Sequence, residues 1–406
     1  MIRSSNRVGA ERRAQDADEE ESNSQEASGE EGGQEIASAT PRPVDPARIR
    51  NAWAGRISGC QLGKAVEGLS VLRGNAELTR YLQDAGALPL RDYVPLVRDT
   101  LVERTGARSC RGEISRSEPD DDINYTVLAL ILLERHGLAI ATEDVARAWL
   151  ELLPAGAMYT AERAAYRTLL QRVPEYFGFG APAGFDVKEC AHNEYSDWIG
   201  AQIRADLYGW VCPGDPVLAA DLARRDAALS HAGDGVDGAA FIAALGAAIP
   251  AVHSFAGAVD EASRAASVGP GVAEAIGLAL SAVGTENAVE QIRARYAGLS
   301  PFHTLNNLAL VVWALSSYSD DYSAAVGEVV AAGWDTDCNG ATVGGLWGLS
   351  GRSIPEHWTA PWRGRVAVTL AGIGELTLED LVARTVHVAQ QLGERLSSGA
   401  TDPTGC

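Results

Sequence analysis

The stretch PDDDINYTVLALILLERHG, residues 119–137, decides how this chain folds. It opens on three acids, Asp120, Asp121 and Asp122, and is apolar at almost every position from Val127 to Leu133. Acids at a helix start meet unpaired N–H groups and the positive end of the dipole. Arg135 and His136 close the run with the opposite charge, and Gly137 is the residue type a helix favours just past its end. A helix that is apolar nearly all round is buried on every side, so this run reads as a central element.

Outward from it, helical periodicity recurs over 47–62, 96–105, 142–152, 160–172, 196–210, 216–230, 237–249, 271–283, 304–318, 321–332, 339–349 and 376–396. Alternating β patterns are nearly absent. The expected fold is therefore all-α, a compact many-helix globule whose loops at helix N-termini carry the chemistry. A second acidic motif, GWDTDCNG at residues 333–340, also precedes a helical pattern, one that contains Gly340, Ala341, Gly344, Gly345 and Gly348. Glycine inside a helix costs roughly 1 kcal/mol against alanine, so this density implies close backbone approach between central helices.

The chain has 406 residues, 46% of them apolar, and a formal net charge of -20. Residues 1–44 are rich in Glu, Asp, Ser, Gln and Gly and cannot bury enough apolar surface to fold, so they read as a disordered acidic tail. One domain is expected over 45–396, with a flexible C-terminus over 397–406. Arg3, Arg7, Arg12 and Arg13 resemble a transit peptide, but an acidic run follows and no apolar h-region exists. The acidic balance disfavours a nucleic-acid or anionic-membrane surface. Residues 238–259 are nearly uncharged and long enough to span a bilayer, yet Pro250, His253 and several glycines make a buried helix pair the better reading. Six cysteines, none at C-x-x-C or zinc spacing, fit a reduced cytoplasmic setting. A monomer is expected. No Walker loop, G-x-G-x-x-G fingerprint or G-x-S-x-G elbow is present.

Taken singly, Asp120, Asp121 and Asp122 are a capping cluster, and Asp335 with Asp337 is ordinary turn chemistry. If the fold joins the two motifs, five carboxylates share one small volume and need protons or cations to be tolerable. Oxygen-rich clusters of this kind suit hard ions such as Mg²⁺ or Mn²⁺.

Together with GCQLGKAVE at residues 59–67, these motifs resemble the three signatures of the ADP-ribosylglycohydrolase family, which read roughly Gly-Asp-Ala-Leu-Gly-x-Pro-x-Glu, Thr-Asp-Asp-Thr and Gly-Gly-Asp-Thr-Asp-Thr. The resemblance covers about residues 45–395. It implies a glycosidase acting on an ADP-ribosyl or related ribosyl group, carried by a protein or a small metabolite. It also implies Mg²⁺ or Mn²⁺ held by Asp120, Asp121, Asp122, Asp335, Asp337 and the residue at 338, with Asp121 or Asp122 as the base and Glu67 gating substrate or assisting water. Either Asp121 and Asp122, or Asp120 and Asp121, form the early pair.

Several positions depart from the family pattern, and Asp120 falls where the first Thr of the early motif is expected. Cys60 stands for Asp, Ile123 for Thr, Trp334 for Gly and Cys338 for Thr. A thiol is a poor partner for Mg²⁺, so two ions or one remain open, as does a non-catalytic relative that only binds. Glu67 reads equally as a surface residue. Gly63, Asn124, Trp198, Gly200, Arg204, Trp334 and Asn339 are the substrate-side candidates: Arg204 to fork a phosphate, Trp198 or Tyr208 to stack on a base. The alternative for residues 196–208 is plain helix packing and ion pairing.

Overall fold

The structure is a computed structural model that describes residues 42–173 and 185–398. The expected tail up to residue 41 and the expected C-terminus from 399 lie outside the described residues. Of residues 42–44, Arg42 N–H donates to Pro213 O at 3.0 Å and Val44 rests on the core.

Eighteen α-helices follow one another along the described residues. They are α1 (Pro46–Lys64), α2 (Glu67–Arg73), α3 (Asn75–Asp84), α4 (Leu101–Thr105), α5 (Asp121–His136), α6 (Thr142–Leu152), α7 (Thr160–Val173), α8 (Asp206–Trp210) and α9 (Pro216–Ala227). Then come α10 (Gly233–Ala248), α11 (Phe255–Ala265), α12 (Pro270–Ala282), α13 (Ala288–Arg295), α14 (Thr304–Ser317), α15 (Tyr322–Ala331), α16 (Thr336–Gly348), α17 (Glu356–Thr359) and α18 (Leu378–Ser398). Between α17 and α18, β1 (Arg365–Ala367) and β2 (Glu375–Thr377) pair antiparallel, with Val366 opposite Leu376.

Local chemistry sets the ends of these helices. Asp45 caps α1, accepting the Ala47 N–H at 2.8 Å, and Pro46 occupies the first turn where its missing N–H costs nothing. Asp120 caps α5, and Gly137 ends it at φ 57°. Every residue from Ile123 to Leu133 is buried, as the all-round apolar pattern requires.

The centre of the molecule is the antiparallel pair α1 and α16. Their glycines face one another: a Cβ on Gly55 would overlap the Gly344 carbonyl, one on Gly59 the Gly340 carbonyl, and one on Gly63 the Thr336 carbonyl. The glycine density read from the sequence is thus explained by backbone-to-backbone contact, made with α1 rather than with α5. Residues 233–251 are the one described segment long and apolar enough to cross a membrane, by length and composition only, and 72% of it is buried inside the fold among α8, α9 and α11.

Two expectations are corrected. The helix expected over 96–105 begins only at Leu101, because Asp99 lies at φ 62° and Thr100 serves as the N-cap. The helix expected over 196–210 splits into a 3₁₀ turn over Ile199–Arg204 and then α8, since Ile199 N–H is taken by Phe302 O at 2.8 Å. The helices α2, α3, α11, α13 and α17 and the small hairpin are not among the periodic segments read from the sequence.

Candidate metal centre

Because α1 and α16 run antiparallel, the C-terminus of one ends at the N-terminus of the other. Thr336 Oγ1 donates to the Gly63 carbonyl at 2.8 Å and locks this junction. Lys64, the last residue of α1, and Glu67, the first of α2, therefore arrive beside Asp335 and Asp337. The third wall is the N-terminus of α5, held against α1 by two side chains. Gln61 Nε2 donates to the Glu118 carbonyl at 3.2 Å while its Oε1 accepts the Glu118 N–H at 3.0 Å, so the strand-like approach to Asp120 is fixed. Arg56, fully buried, donates to Thr126 Oγ1 at 2.8 Å, Asp206 Oδ2 at 2.9 Å and Asp122 Oδ1 at 3.2 Å.

The two acidic motifs meet. Three overlapping sets of side chains bring their ligand atoms within 4.8 Å of one another: Cys60 with Asp120 and Asp122, Asp122 with Asp337 and Cys338, and Glu67 with Asp335 and Asp337. Two bare carboxylates about 5 Å apart repel by roughly 3 kcal/mol at an effective dielectric of about 20. Two oxygens in the cluster, Asp122 Oδ2 and Asp337 Oδ1, are buried and have no hydrogen-bond partner. Buried polar atoms are usually partnered, so these two oxygens keep lone pairs free for a ligand inside a cluster of further carboxylates. Free lone pairs on hard, converging oxygens fit a divalent cation of the Mg²⁺ or Mn²⁺ type. The thiols of Cys60 and Cys338 are the soft members of the set.

Asp120 differs from its neighbours. Its Oδ1 accepts the Asp122 N–H at 3.1 Å and its Oδ2 accepts Lys64 Nζ at 2.6 Å. Burial opposes ionisation of Asp120, but the Lys64 ammonium outweighs it and holds the carboxyl below its usual range. The others move the opposite way. Burial, reinforced by Asp120 and Asp337, pushes Asp121 well up. Burial also raises Asp122 despite Arg56, and raises Asp335 next to Asp337. Asp337 is pushed up to about 6 by burial and by Asp120. For Glu67 the Asp337 charge is the first cause and burial the second, and its carboxyl too lies well above normal. Burial keeps the Cys60 and Cys338 thiols protonated, which leaves neither as a ready nucleophile.

The cluster opens into a cavity of about 300 Å³. Asp120, Asp121, Asp335, Asp337, Glu67 and Glu162 bring six carboxylates to its wall against one cation, Lys64. Opposite, Trp198 stacks on Phe302 with ring centroids 5.4 Å apart and planes 24° apart, beside Tyr159 and Gly200. Gly200 has no room for a Cβ because the Glu162 carboxylate lies against it. Glu67 thus faces the cavity rather than open solvent.

Other candidates from the sequence sit elsewhere. Arg204 is buried, and all five of its donors are engaged, by Asp226 Oδ1, Asp226 O at 3.2 Å, Ser230 Oγ at 2.9 Å, Glu162 Oε1 at 2.8 Å and Gly200 O at 3.3 Å. It holds Glu162 in the wall and has nothing left for a phosphate. Tyr208 is also buried, donating to Asp226 Oδ2 at 2.7 Å. Asn124 turns away to Thr369, donating to Oγ1 at 2.8 Å. Asn339 donates to Asn307 Oδ1 at 2.8 Å behind the late motif. Gly63 belongs to the helix contact. Trp334 is buried and takes a left-handed φ of 59°, held by Asn75 Oδ1, which accepts its N–H at 3.0 Å, and by Ser70 Oγ, which donates to its carbonyl at 2.8 Å.

Sequence reading passed over Arg56, Gln61, Lys64, Glu162 and Asn307. The single Arg, Gln and Lys within residues 52–64, a stretch otherwise of small and apolar residues, were the available signal for the first three. His231 is buried with Nε2 unpartnered, 3.8 Å from Glu162, and burial together with Arg204 depresses its pKa, so it stays neutral.

Among solved structures, a chain described as an ADP-ribosylglycohydrolase-related protein complex superposes with a TM-score of 0.54 at 18% identity, covering 86% of this chain and 98% of that one. That likeness speaks for the fold alone. No curated protein matches the chain significantly. The ADP-ribosylglycohydrolase family model matches residues 41–394, which spans all three motifs and nearly every described helix. The chain therefore belongs to the ADP-ribosylglycohydrolase family.

Proposed function

We propose that this chain is a divalent-metal-dependent hydrolase that cleaves the glycosidic bond of an ADP-ribosyl or related ribosyl substrate. The observation that carries the reading is the convergence of Asp122, Asp335, Asp337 and Glu67 in overlapping ligand sets beside a cavity that Asp121 also lines, with Asp122 Oδ2 and Asp337 Oδ1 buried and unpartnered. Asp122, Asp335 and Asp337 are the residues to hold Mg²⁺ or Mn²⁺, with Cys338 beside them. Bound there, the ion supplies Lewis acidity toward the ribose hydroxyls and balances the carboxylate charge.

The remaining chemistry falls to side chains on the cavity wall. Departure of the aglycone leaves an oxocarbenium-like ribose, which the carboxylates stabilise. Asp121 and Glu67 both reach the cavity with raised pKa values, and a carboxylate shifted toward neutrality is a better acceptor for a proton from the attacking water. The Trp198–Phe302 stack offers a flat apolar face for a base or another planar group. The carrier of the ribosyl group is a modified protein or a small ribosyl metabolite in the cytoplasm.

A second reading has its own support. Cys60 and Cys338 place two neutral thiols where hard oxygens would serve Mg²⁺ better, which suits a relative that binds ribosyl groups without cleaving them. A panel of ADP-ribosyl-arginine, ADP-ribosyl-serine, an ADP-ribose ester and simple ribonucleosides, each with Mg²⁺, Mn²⁺ or chelator, separates the two. Metal-dependent release of a free ribosyl product is expected, lost by about a hundredfold or more in Asp121→Asn and Asp335→Asn with an unchanged circular dichroism spectrum. Saturable binding of one panel member without turnover under any metal would establish the second reading instead.

A further inference from the structure

The acidic cavity contains a cation of its own. Lys64 is the last residue of α1, where a positive charge also meets the negative end of the helix dipole. Its ammonium lies 2.6 Å from Asp120 Oδ2, and only 26% of its side chain is exposed while that of Asp120 is 1% exposed. Cys60 lies four residues earlier on α1, and positions four apart share a helix face. That face therefore offers the Asp120 corner an uncharged thiol and an ammonium. Among the sets that could hold an ion, the one at this corner comprises Cys60, Asp120 and Asp122.

Both oxygens of Asp120 are already engaged, one by the α5 cap and one by Lys64. Of the cluster's two buried oxygens without a partner, the one on Asp337 belongs only to the other sets, and the one on Asp122 belongs to the residue that this corner shares with them. The cluster thus has an Asp120 side already neutralised by protein and an Asp335 and Asp337 side still short of a cation, with Asp122 between them.

We infer that Lys64 stands in for one of the two divalent ions that the motifs imply, so that the chain binds a single ion on the Asp122, Asp335 and Asp337 side. The inference rests on the metal-dependent reading above. An ammonium delivers a point charge of +1 and three donors but no Lewis acidity, so Lys64 balances Asp120 without polarising substrate. It also means that the corner at Asp120 stays formed in the absence of metal, whereas the other corner needs its ion.

Titration of the full-length protein with Mn²⁺, by calorimetry and by electron paramagnetic resonance, tests this. The unmodified chain is expected to bind one Mn²⁺ with the six-line spectrum of an isolated ion. Lys64→Met and Lys64→Gln should raise the stoichiometry from one to two, with the broadened spectrum of a coupled pair, while Lys64→Arg stays at one. Two ions in the unmodified protein would overturn the role of Lys64 and leave the metal-dependent reading standing. One ion in the unmodified protein and still one in folded Lys64→Met and Lys64→Gln would overturn it as well, showing that something else limits the count. No ion in any of the proteins would sink the metal-dependent reading itself, and the inference with it.

Discussion

At the scale of single residues, Cys338 is the most telling departure. Its sulfur lies within 4.8 Å of a carboxylate oxygen of each of Asp122 and Asp337, the two residues that each keep one buried oxygen unpartnered. If the sulfur contributes to the ion, Cys338→Thr supplies a hard oxygen and should tighten Mg²⁺ by about tenfold, the order of change seen when shells around a metal are altered. Cys338→Ala should weaken Mn²⁺ more than Mg²⁺, because Mn²⁺ tolerates sulfur better. Calorimetry with both ions on the three proteins measures this, and equal affinities throughout would remove Cys338 from the ligand set. Trp334, by contrast, changes the loop and not the donors. A left-handed φ favours glycine, and here Asn75 and Ser70 hold the backbone in place around a buried indole.

At the scale of elements, the site exists because α1 and α16 touch backbone to backbone. Every fourth residue of α1 from Asn51 to Gly63 meets a residue of α16, and this register is what carries Lys64 and Glu67 to the start of α16. Gly59→Ala and Gly340→Ala each place a methyl on the opposing carbonyl, where only a separation of the helices makes room. Each should cost about 3 kcal/mol or more, at the upper end of overpacking changes, with metal affinity falling in step. Gly277→Ala is the control, since nothing lies near a Cβ there and alanine is the better helix former. Urea unfolding of the three variants gives the comparison, and a neutral Gly59→Ala would mean that the helix pair is looser than described.

This register also explains what was legible in the sequence. The acid-opened apolar run, its Gly137 stop and the glycine density of α16 are local signals, and each corresponds to a feature of the fold. The meeting of Asp121 and Asp122 with Asp335 and Asp337 depends on contacts some two hundred residues apart, which periodicity does not encode. Arg204 shows the same gap from the other side. Its type suits a phosphate, yet Glu162 of α7, and Asp226 and Ser230 at and just past the end of α9, consume its donors.

At the scale of the whole molecule, the cluster couples stability to pH and to metal. Asp121, Asp122 and Asp335 ionise well above their usual range in the folded chain, and Asp337 at about 6, against about 3.9 for an unfolded Asp. Between those values the folded state carries more protons than the unfolded one, so stability falls as pH rises. The contribution is fully present below about pH 4 and is lost as pH climbs through about 6 and beyond. Chelated protein should therefore melt at a lower temperature at pH 8 than at pH 5.5. A divalent ion binds only the folded arrangement and only its ionised carboxylates, so its effect runs the other way. At a hundred times its dissociation constant it adds about 2.7 kcal/mol, or about 4 °C for a domain of this size, and that gain should be present at pH 8 and shrink toward pH 5.5. Exposed carboxylates such as Glu103 and Glu375, whose partners lower their pKa, act with the opposite sign but are screened by solvent. Melting curves at the two pH values, with Mn²⁺ and with chelator, should therefore converge in acid and diverge in base. Curves that stay parallel would mean that the cluster's protons and the metal do not compete for the same oxygens.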